Sequence, residues 1–300
     1  MDTPLARVGF VGIGKMGAPM AARLHAAGHP LMVHDQRAAS AQGFADAHRG
    51  TALARTPADL ATCDVVITML PDSAAVEAVV LPSEPADGLI AVLRKGSLVI
   101  DMSSSAPLRT RALAARLAEA GLDFLDAPVS GGVKRALDGT LAIMVGGDAA
   151  VFESQRALLG CMGRTITHVG PAGAGHAMKA LNNYVSAAGL VATVEALHAG
   201  RRFGLDPALM TDVLNGSTGR NNTTENKVKA FMLSGRYDSG FALALMAKDL
   251  GIAMNTLAEH GVPAVTSSVV QQLVNAQIAA GEGEEDYSGI AKAIFKMANL

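Results

Sequence analysis

Tryptophan is absent from this 300-residue chain, and aromatic residues make up only 4% of it. Cysteine occurs twice, at Cys63 and Cys161, too few for a disulfide framework, so buried free thiols in a reducing cytosol are expected. Lys and Arg never form a run and the net charge is −2, which argues against nucleic acid or an anionic membrane surface as a partner. The most apolar late stretch, Val185 to Ala199, is interrupted by Glu195 and falls short of a membrane span. The opening MDTPLARVGF is too short and too mixed for a signal peptide. No His/Cys/Asp cluster has the spacing of metal ligands, so no metal is expected. Together these absences predict a cytoplasmic protein with neither a membrane nor a nucleic acid as partner. Half of the residues are hydrophobic and 17% are charged, a composition that excludes disorder and can fill one large core or two ordinary ones.

Two textures divide the chain. Up to about residue 170, short β-branched runs alternate with alanine-rich helical patterns. The runs are Arg7–Val11, Leu31–His34, Asp64–Met69, Ser97–Asp101, Asp123–Asp126, Leu141–Val145 and Thr165–His168. Such alternation predicts an α/β domain: a doubly wound, mostly parallel sheet with helices on both faces. Beyond it, helical spacing dominates over Gly175–Phe203, Pro207–Leu214, Phe241–His260 and Thr266–Ala280. Asp206 before Pro207 reads as an N-cap and Gly261-Val262-Pro263 as a stop. The expected organisation is a Rossmann-like domain over residues 1–170 and an all-helical domain over 171–300. The second begins with a long helix, and the boundary is the kind of place where ligands bind.

Gly12-Ile13-Gly14-Lys15-Met16-Gly17 follows the first strand and opens a helix, the context in which G-x-G-x-x-G carries meaning. Gly12 permits the turn, Gly14 the close approach of a pyrophosphate, and Gly17 the packing of helix on strand. Lys15 and Met16 belong to the same phosphate-binding loop. The anion would meet free helix N–H groups at the positive end of the dipole. Asp35 closes the second strand, where a carboxylate accepts from both ribose hydroxyls and repels a 2′-phosphate. NAD is therefore the expected cofactor, with NADP possible because Arg37 stands two residues on.

Ser130-Gly131-Gly132 offers a hydroxyl and unobstructed backbone N–H groups, a receptacle for a small carboxylate. Asp126 and Asp138 beside it read as capping or solubilising residues. Lys179 lies about one turn into the long helix, behind Gly170, Gly173 and Gly175. Oxidising an alcohol requires a group to take the hydroxyl proton, and a lysine in a closed, glycine-lined site is suited to that. Asn183 lies one turn further along the same face, with Asn182 beside it. His176, the other acid/base candidate beside the lysine, reads as a structural residue at the helix start.

Four separated segments, GIGKMGAPMA, DAPVSGG, GAGHAMKALNN and KDLGIA, resemble the β-hydroxyacid dehydrogenase family in order and spacing across essentially the whole chain. That family includes 3-hydroxyisobutyrate dehydrogenases and tartronate semialdehyde reductases. The resemblance implies an N-terminal Rossmann-like domain, a long helix leading out of it and a helical C-terminal domain. It makes Lys179 the catalytic acid/base and gives Asn183 a part in substrate binding. It further implies that Leu70, Pro71 and Ser104 line the nicotinamide side and that Lys248 reaches the cofactor across the cleft. Ala75 departs from the pattern, standing where some relatives carry asparagine. A homodimer or homotetramer is implied as well.

The expected substrate is a small 3-hydroxy acid, with 3-hydroxyisobutyrate as the reference. The polar stretch NGSTGRNNTTENK, Asn215 to Lys227, leaves tartronate semialdehyde, L-threonate or serine open if it lines the site. Imine reductases share the architecture but usually replace the lysine. An NAD-binding module without turnover would show a lost lysine or a broken serine–glycine loop, and both are intact.

Overall fold

The computed structural model describes residues 5–82 and 88–298. They form two compact units, one running through Lys179 and the other starting at Ala180.

In the first unit the chain alternates β1 (Val8–Val11), α1 (Gly17–Ala26), β2 (Leu31–His34), α2 (Ala38–Ala47) and β3 (Ala52–Leu53). It continues through β4 (Val65–Thr68), α3 (Ser73–Val80), α4 (Leu89–Val92), β5 (Leu98–Asp101), α5 (Pro107–Glu119) and β6 (Asp123–Asp126). Then come β7 (Val129–Ser130), α6 (Gly132–Asp138), β8 (Leu141–Gly147), α7 (Ala149–Gly160), β9 (Gly163–Gly170) and the thirty-residue α8 (Ala174–Phe203). The strands lie in the order β3-β2-β1-β4-β5-β6-β8-β7, with β9 paired to β8. The six strands from β3 to β6 are all parallel, and β8 runs antiparallel to β6 through Leu125 and Gly147.

Every residue of β1, β4 and β5 is buried, which explains why their sequences are apolar runs rather than alternations. Successive side chains go to opposite faces. Phe10, Ile67 and Ile100 join one core with Met20 and Leu24 of α1, while Val11, Val66 and Val99 join another with Leu117 of α5 and with Leu60 of the short 3-10 turn Pro57–Thr62. The sheet therefore needs helices on both sides. Helix starts carry their own markers: Asp72 accepts from Ala75 N, Asp148 from Ala150 and Val151 N, and Pro107 opens α5. The two-residue strands β3 and β7 were not foreseen, because pairs this short carry no periodic signal.

The second unit comprises the rest of α8 with α9 (Pro207–Asn215), α10 (Asn222–Asn226), α11 (Leu243–Glu259), α12 (Val265–Ala279) and α13 (Ile290–Met297). Leu190, Val194, Met246, Leu250, Val274 and Ile290 meet in its core. Asp206 caps α9 at Leu209 N, 2.8 Å away, with Pro207 in the first turn as expected. A five-residue π-helical turn, Val228–Met232, separates α10 from α11. Helix α13 was missed by sequence reading although Ile290, Ile294 and Met297 repeat at spacings of four and three.

Candidate active site

In the first unit, the predicted residues gather at the carboxyl ends of the parallel strands. Strand β1 lies between β2 and β4, where connections leave in opposite directions, so a crevice opens at its carboxyl end. The glycine loop follows β1, Asp35 follows β2, Leu70 and Pro71 follow β4, and Ser104 follows β5. In the loop, Gly12 has φ +98°, and a Cβ there would strike the Met69 carbonyl. A Cβ on Gly17 would strike the Gly12 carbonyl, whereas Gly14 faces open space. The first two glycines are thus required by the protein itself, and the third leaves room for something else. No side chain caps α1 and no acid stands in its first turn, so its N–H groups suit an anion. Lys15 is exposed and Met16 packs partly against the core. The Asp35 carboxylate accepts from Ile13 N at 2.7 Å and from Arg37 N at 2.8 Å, which fixes the loop against the end of β2. The Arg37 side chain is 75% exposed and 3.9 Å from Asp35, free to swing out.

Beneath the loops after β4 and β5 lies a buried polar network that sequence reading did not assemble. Asp101 accepts from Thr68 Oγ1 at 2.9 Å, Ser105 Oγ at 2.8 Å and Ser103 N at 3.0 Å. Ser103 Oγ in turn accepts from Leu70 N at 2.9 Å, setting the position of that predicted nicotinamide neighbour. Asp126, expected merely to cap or solubilise, is wholly buried. Its two oxygens accept from Gly173 N at 2.8 Å and His176 N at 2.9 Å, so it caps the start of α8. The His176 ring lies 3.7 Å from both Asp101 and Asp126, with Nε2 at 3.0 Å from the Ser103 carbonyl and Nδ1 at 2.8 Å from Thr110 Oγ1. His176 therefore has the structural place that the sequence suggested. The signal for this network was the polar residue ending each apolar strand: Thr68, Asp101 and Asp126.

Lys179 follows on α8, one turn after His176, and is 7% exposed. Gly175 precedes it because a Cβ there would lie 2.7 Å from the Asp126 carbonyl oxygen. Ser130 ends β7, and Gly131 and Gly132 turn into α6 with φ of +136° and +67°. Among the described residues, no group of His, Cys, Asp and Glu could hold a metal ion.

The second unit brings three further predicted residues around one carboxylate. Asn183, also 7% exposed, donates Nδ2–H to Asp249 Oδ2 at 2.6 Å, and Asn182 Nδ2 donates to Asn183 Oδ1 at 3.2 Å. Lys248 Nζ is 3.8 Å from Asp249 Oδ1. A carboxylate accepts only, so Asp249 fixes which way the Asn183 amide points.

Most side chains of the polar stretch from Asn215 to Lys227 have partners within their own unit, while Asn215 Oδ1 and Thr223 Oγ1 are buried without one. Asn221 Oδ1 caps α10 at Thr223 and Thr224 N, its Nδ2 donates to Thr193, and Asn215 donates to the Thr224 carbonyl. Lys227 differs. Burial pushes its ammonium down from 10.5 to about 8, against a smaller upward pull from Asp286, and Nζ sits 4.3 Å over the Tyr287 ring. For Asp286, burial works upward, but hydrogen bonds from Ser288, Ser239 and Phe241 outweigh it and hold the carboxyl below its usual range.

Comparison with known proteins gives the same picture from another direction. Residues 7–170 match the NAD binding domain of 6-phosphogluconate dehydrogenase, and residues 173–294 match the NAD-binding domain of NADP-dependent 3-hydroxyisobutyrate dehydrogenase. The mitochondrial 3-hydroxyisobutyrate dehydrogenase of Homo sapiens is 39% identical, over 94% of this chain and 85% of that one. An NAD-dependent L-serine dehydrogenase of Pseudomonas aeruginosa is 38% identical, over 96% and 97%. Among solved structures, 3-hydroxyisobutyrate dehydrogenase of Mycobacterium tuberculosis with L-serine has a TM-score of 0.87 at 36% identity, covering 97% of this chain and 99% of the other. The chain belongs to the β-hydroxyacid dehydrogenase family and is an NAD-dependent hydroxyacid dehydrogenase.

Proposed function

We propose that this enzyme oxidises 3-hydroxyisobutyrate, or a 3-hydroxy acid of the same size, with Lys179 as the acid/base. The observation that carries the reading is the burial of Lys179 one turn behind a helix start clamped by Asp126 and His176. A lysine fixed this way has few rotamers open to it, and a held proton acceptor is what alcohol oxidation requires. NAD, when bound, accepts the hydride from the carbinol carbon. Lys179 takes the hydroxyl proton onto Nζ, and in the reductive direction its ammonium gives that proton back. Asn183 presents Oδ1 away from Asp249 as an acceptor, suited to the substrate hydroxyl or to the lysine ammonium, with Asn182 as its neighbour. Ser130, Gly131 and Gly132 take the substrate carboxylate. Gly12, Gly14, Lys15, Met16 and Gly17 take the pyrophosphate, and Asp35 the adenosine ribose. Leu70, Pro71, Ser104 and Lys248 complete the cofactor site.

Serine is the second substrate reading, favoured by the 38% identical L-serine dehydrogenase. The polar stretch adds little to it, because most of those side chains already have partners within their own domain. Free Cys63 and Cys161 suit a cytoplasmic enzyme. Exposed Leu209 and Val213, one turn apart on α9, suit a homodimer or homotetramer.

NADH formation, followed spectrophotometrically with 3-hydroxyisobutyrate, L-serine, L-threonate and glycerate, tests the reading. The wild-type enzyme should turn over 3-hydroxyisobutyrate best, and Lys179→Ala should lower kcat by about 10²–10⁴-fold. Undiminished turnover in the variant would remove Lys179 from the mechanism. A higher kcat/KM for serine would replace the substrate and leave the lysine in place.

A further inference from the structure

The helical unit contains a cavity of about 230 Å³ that the dehydrogenase reaction does not use. One face of α8 contributes Leu197, His198 and Arg201, and Met232, Tyr237 and Phe295 close the other sides. His198 is only 6% exposed, and neither ring nitrogen has a hydrogen-bond partner. Phe295 meets the imidazole edge-on, at 3.7 Å between ring centroids, and offers it nothing polar. Buried imidazoles are ordinarily satisfied, so two orphaned nitrogens on a ring that lines a cavity require an explanation. Tyr237 supplies a second anomaly on the same wall. It is the one non-glycine among the described residues with a left-handed backbone, φ +48°, and its amide is tied to the Phe231 carbonyl at 3.0 Å. Strain of this kind persists where the surroundings enforce it, and it concentrates at ligand-holding positions.

We infer that this cavity is a second binding site, for a short-chain aliphatic monocarboxylate. The volume lies below the range of about 300–1,000 Å³ that takes drug-sized molecules, so the occupant is small. Its charge follows from the lining. Arg201 is the cation there, no acid lines the cavity, and the remaining walls are largely apolar. Arg201 makes no hydrogen bond or ion pair among the described residues, whereas its neighbour Arg202 donates to the Ala298 carbonyl. A guanidinium matches a carboxylate bidentately. A phosphate would bring more charge than one arginine and an apolar wall can accommodate, and an ammonium would meet like charge. Burial, reinforced by the charges of Arg201 and Arg202, lowers the His198 pKa and keeps the ring neutral. One nitrogen can then donate to the carboxylate, while the alkyl chain lies against Leu197, Met232 and Phe295.

The test is an NMR titration of the full-length protein, ¹³C-labelled at histidine Cε1, with sodium 3-methylbutanoate as probe. The eight histidines include His176, which reports on the surroundings of Lys179, and His198, identified by the loss of its signal in His198→Phe. A saturable shift of the His198 signal is expected, with a Kd on the order of 1 mM. Exposed Arg201→Gln should weaken that binding by about tenfold without changing the dispersion of the other histidine signals. The uncharged analogue 3-methylbutan-1-ol should shift His198 far less. A probe that moves His176 alone has bound at the dehydrogenase site and overturns the inference. So does an unmoved His198 signal, or binding that survives Arg201→Gln intact.

Discussion

Replacing Asp126 with asparagine keeps the shape of a wholly buried side chain and removes its charge. The carboxylate accepts two backbone N–H groups, from Gly173 and His176, at 2.8 and 2.9 Å. An asparagine offers one accepting oxygen and turns an NH₂ group toward the second donor. A hydrogen bond to a charged acceptor contributes about 1.5–3 kcal/mol, so one is lost and a buried N–H is left unpaired. The thirty-residue α8 also loses a negative charge at its N-terminus, a further contribution of about 0.3–1 kcal/mol. The amide is cheaper to bury than the carboxylate, which offsets part of this and leaves a net loss of about 2–4 kcal/mol. For a unit of this size, about 2–4 °C per kcal/mol puts the fall in Tm at about 4–16 °C. Far-UV circular dichroism would measure the melt, and hydrogen exchange of the peptide spanning residues 171–180 would localise the change. Because Lys179 lies one turn beyond His176, kcat should fall while the KM for NAD stays nearly constant. An Asp126→Asn protein that melts within about 1 °C of wild type, with unaltered exchange in that peptide, would refute the claim that this carboxylate holds the start of α8.

Three further outcomes follow from other parts of the molecule. Asp35→Ala should raise the KM for NAD by about 10–100-fold, the loss of one charged hydrogen bond, and improve NADP relative to NAD, since Arg37 then faces no carboxylate; unchanged cofactor preference in steady-state kinetics would discount Asp35 as the selector. Burial lowers the Lys227 pKa from 10.5 to about 8, so its ammonium destabilises the fold fully below about pH 8 and progressively less as pH rises toward 10.5. Lys227→Met should therefore gain its largest stability advantage near neutral pH in urea melts, and an advantage independent of pH would contradict that origin. Burial pushes the Cys63 thiol up to about 11, so an aromatic disulfide reagent at pH 8 should label only partly exposed Cys161 until the protein is unfolded.

What could be read from the sequence was whatever repeats or whatever is short and specific. The parallel strands announced themselves as apolar runs because both faces are covered, and the glycine loop because two of its glycines are sterically compelled. Strands β3 and β7 are two residues long and have no period to detect. The buried network of Asp101, Asp126, Thr110 and His176 was out of reach for another reason. Its members are far apart in the chain, and each alone resembles an ordinary polar residue at an element's end. Only the topology of β4, β5 and β6, adjacent and parallel, gathers their polar terminal residues on one edge, where α8 begins. The stretch from Asn215 to Lys227 teaches the converse. Its density of polar side chains suggested a hydroxylated substrate, yet Asn221 and Asn215 satisfy helix ends and Thr193 at a tight junction. Polarity in a sequence counts hydrogen-bonding groups without saying which are already paired, and only unpaired groups can select a ligand. Within this stretch that leaves Asn215 Oδ1 and Thr223 Oγ1 as the buried groups without a hydrogen-bond partner, two atoms in place of the long polar run that the sequence displays.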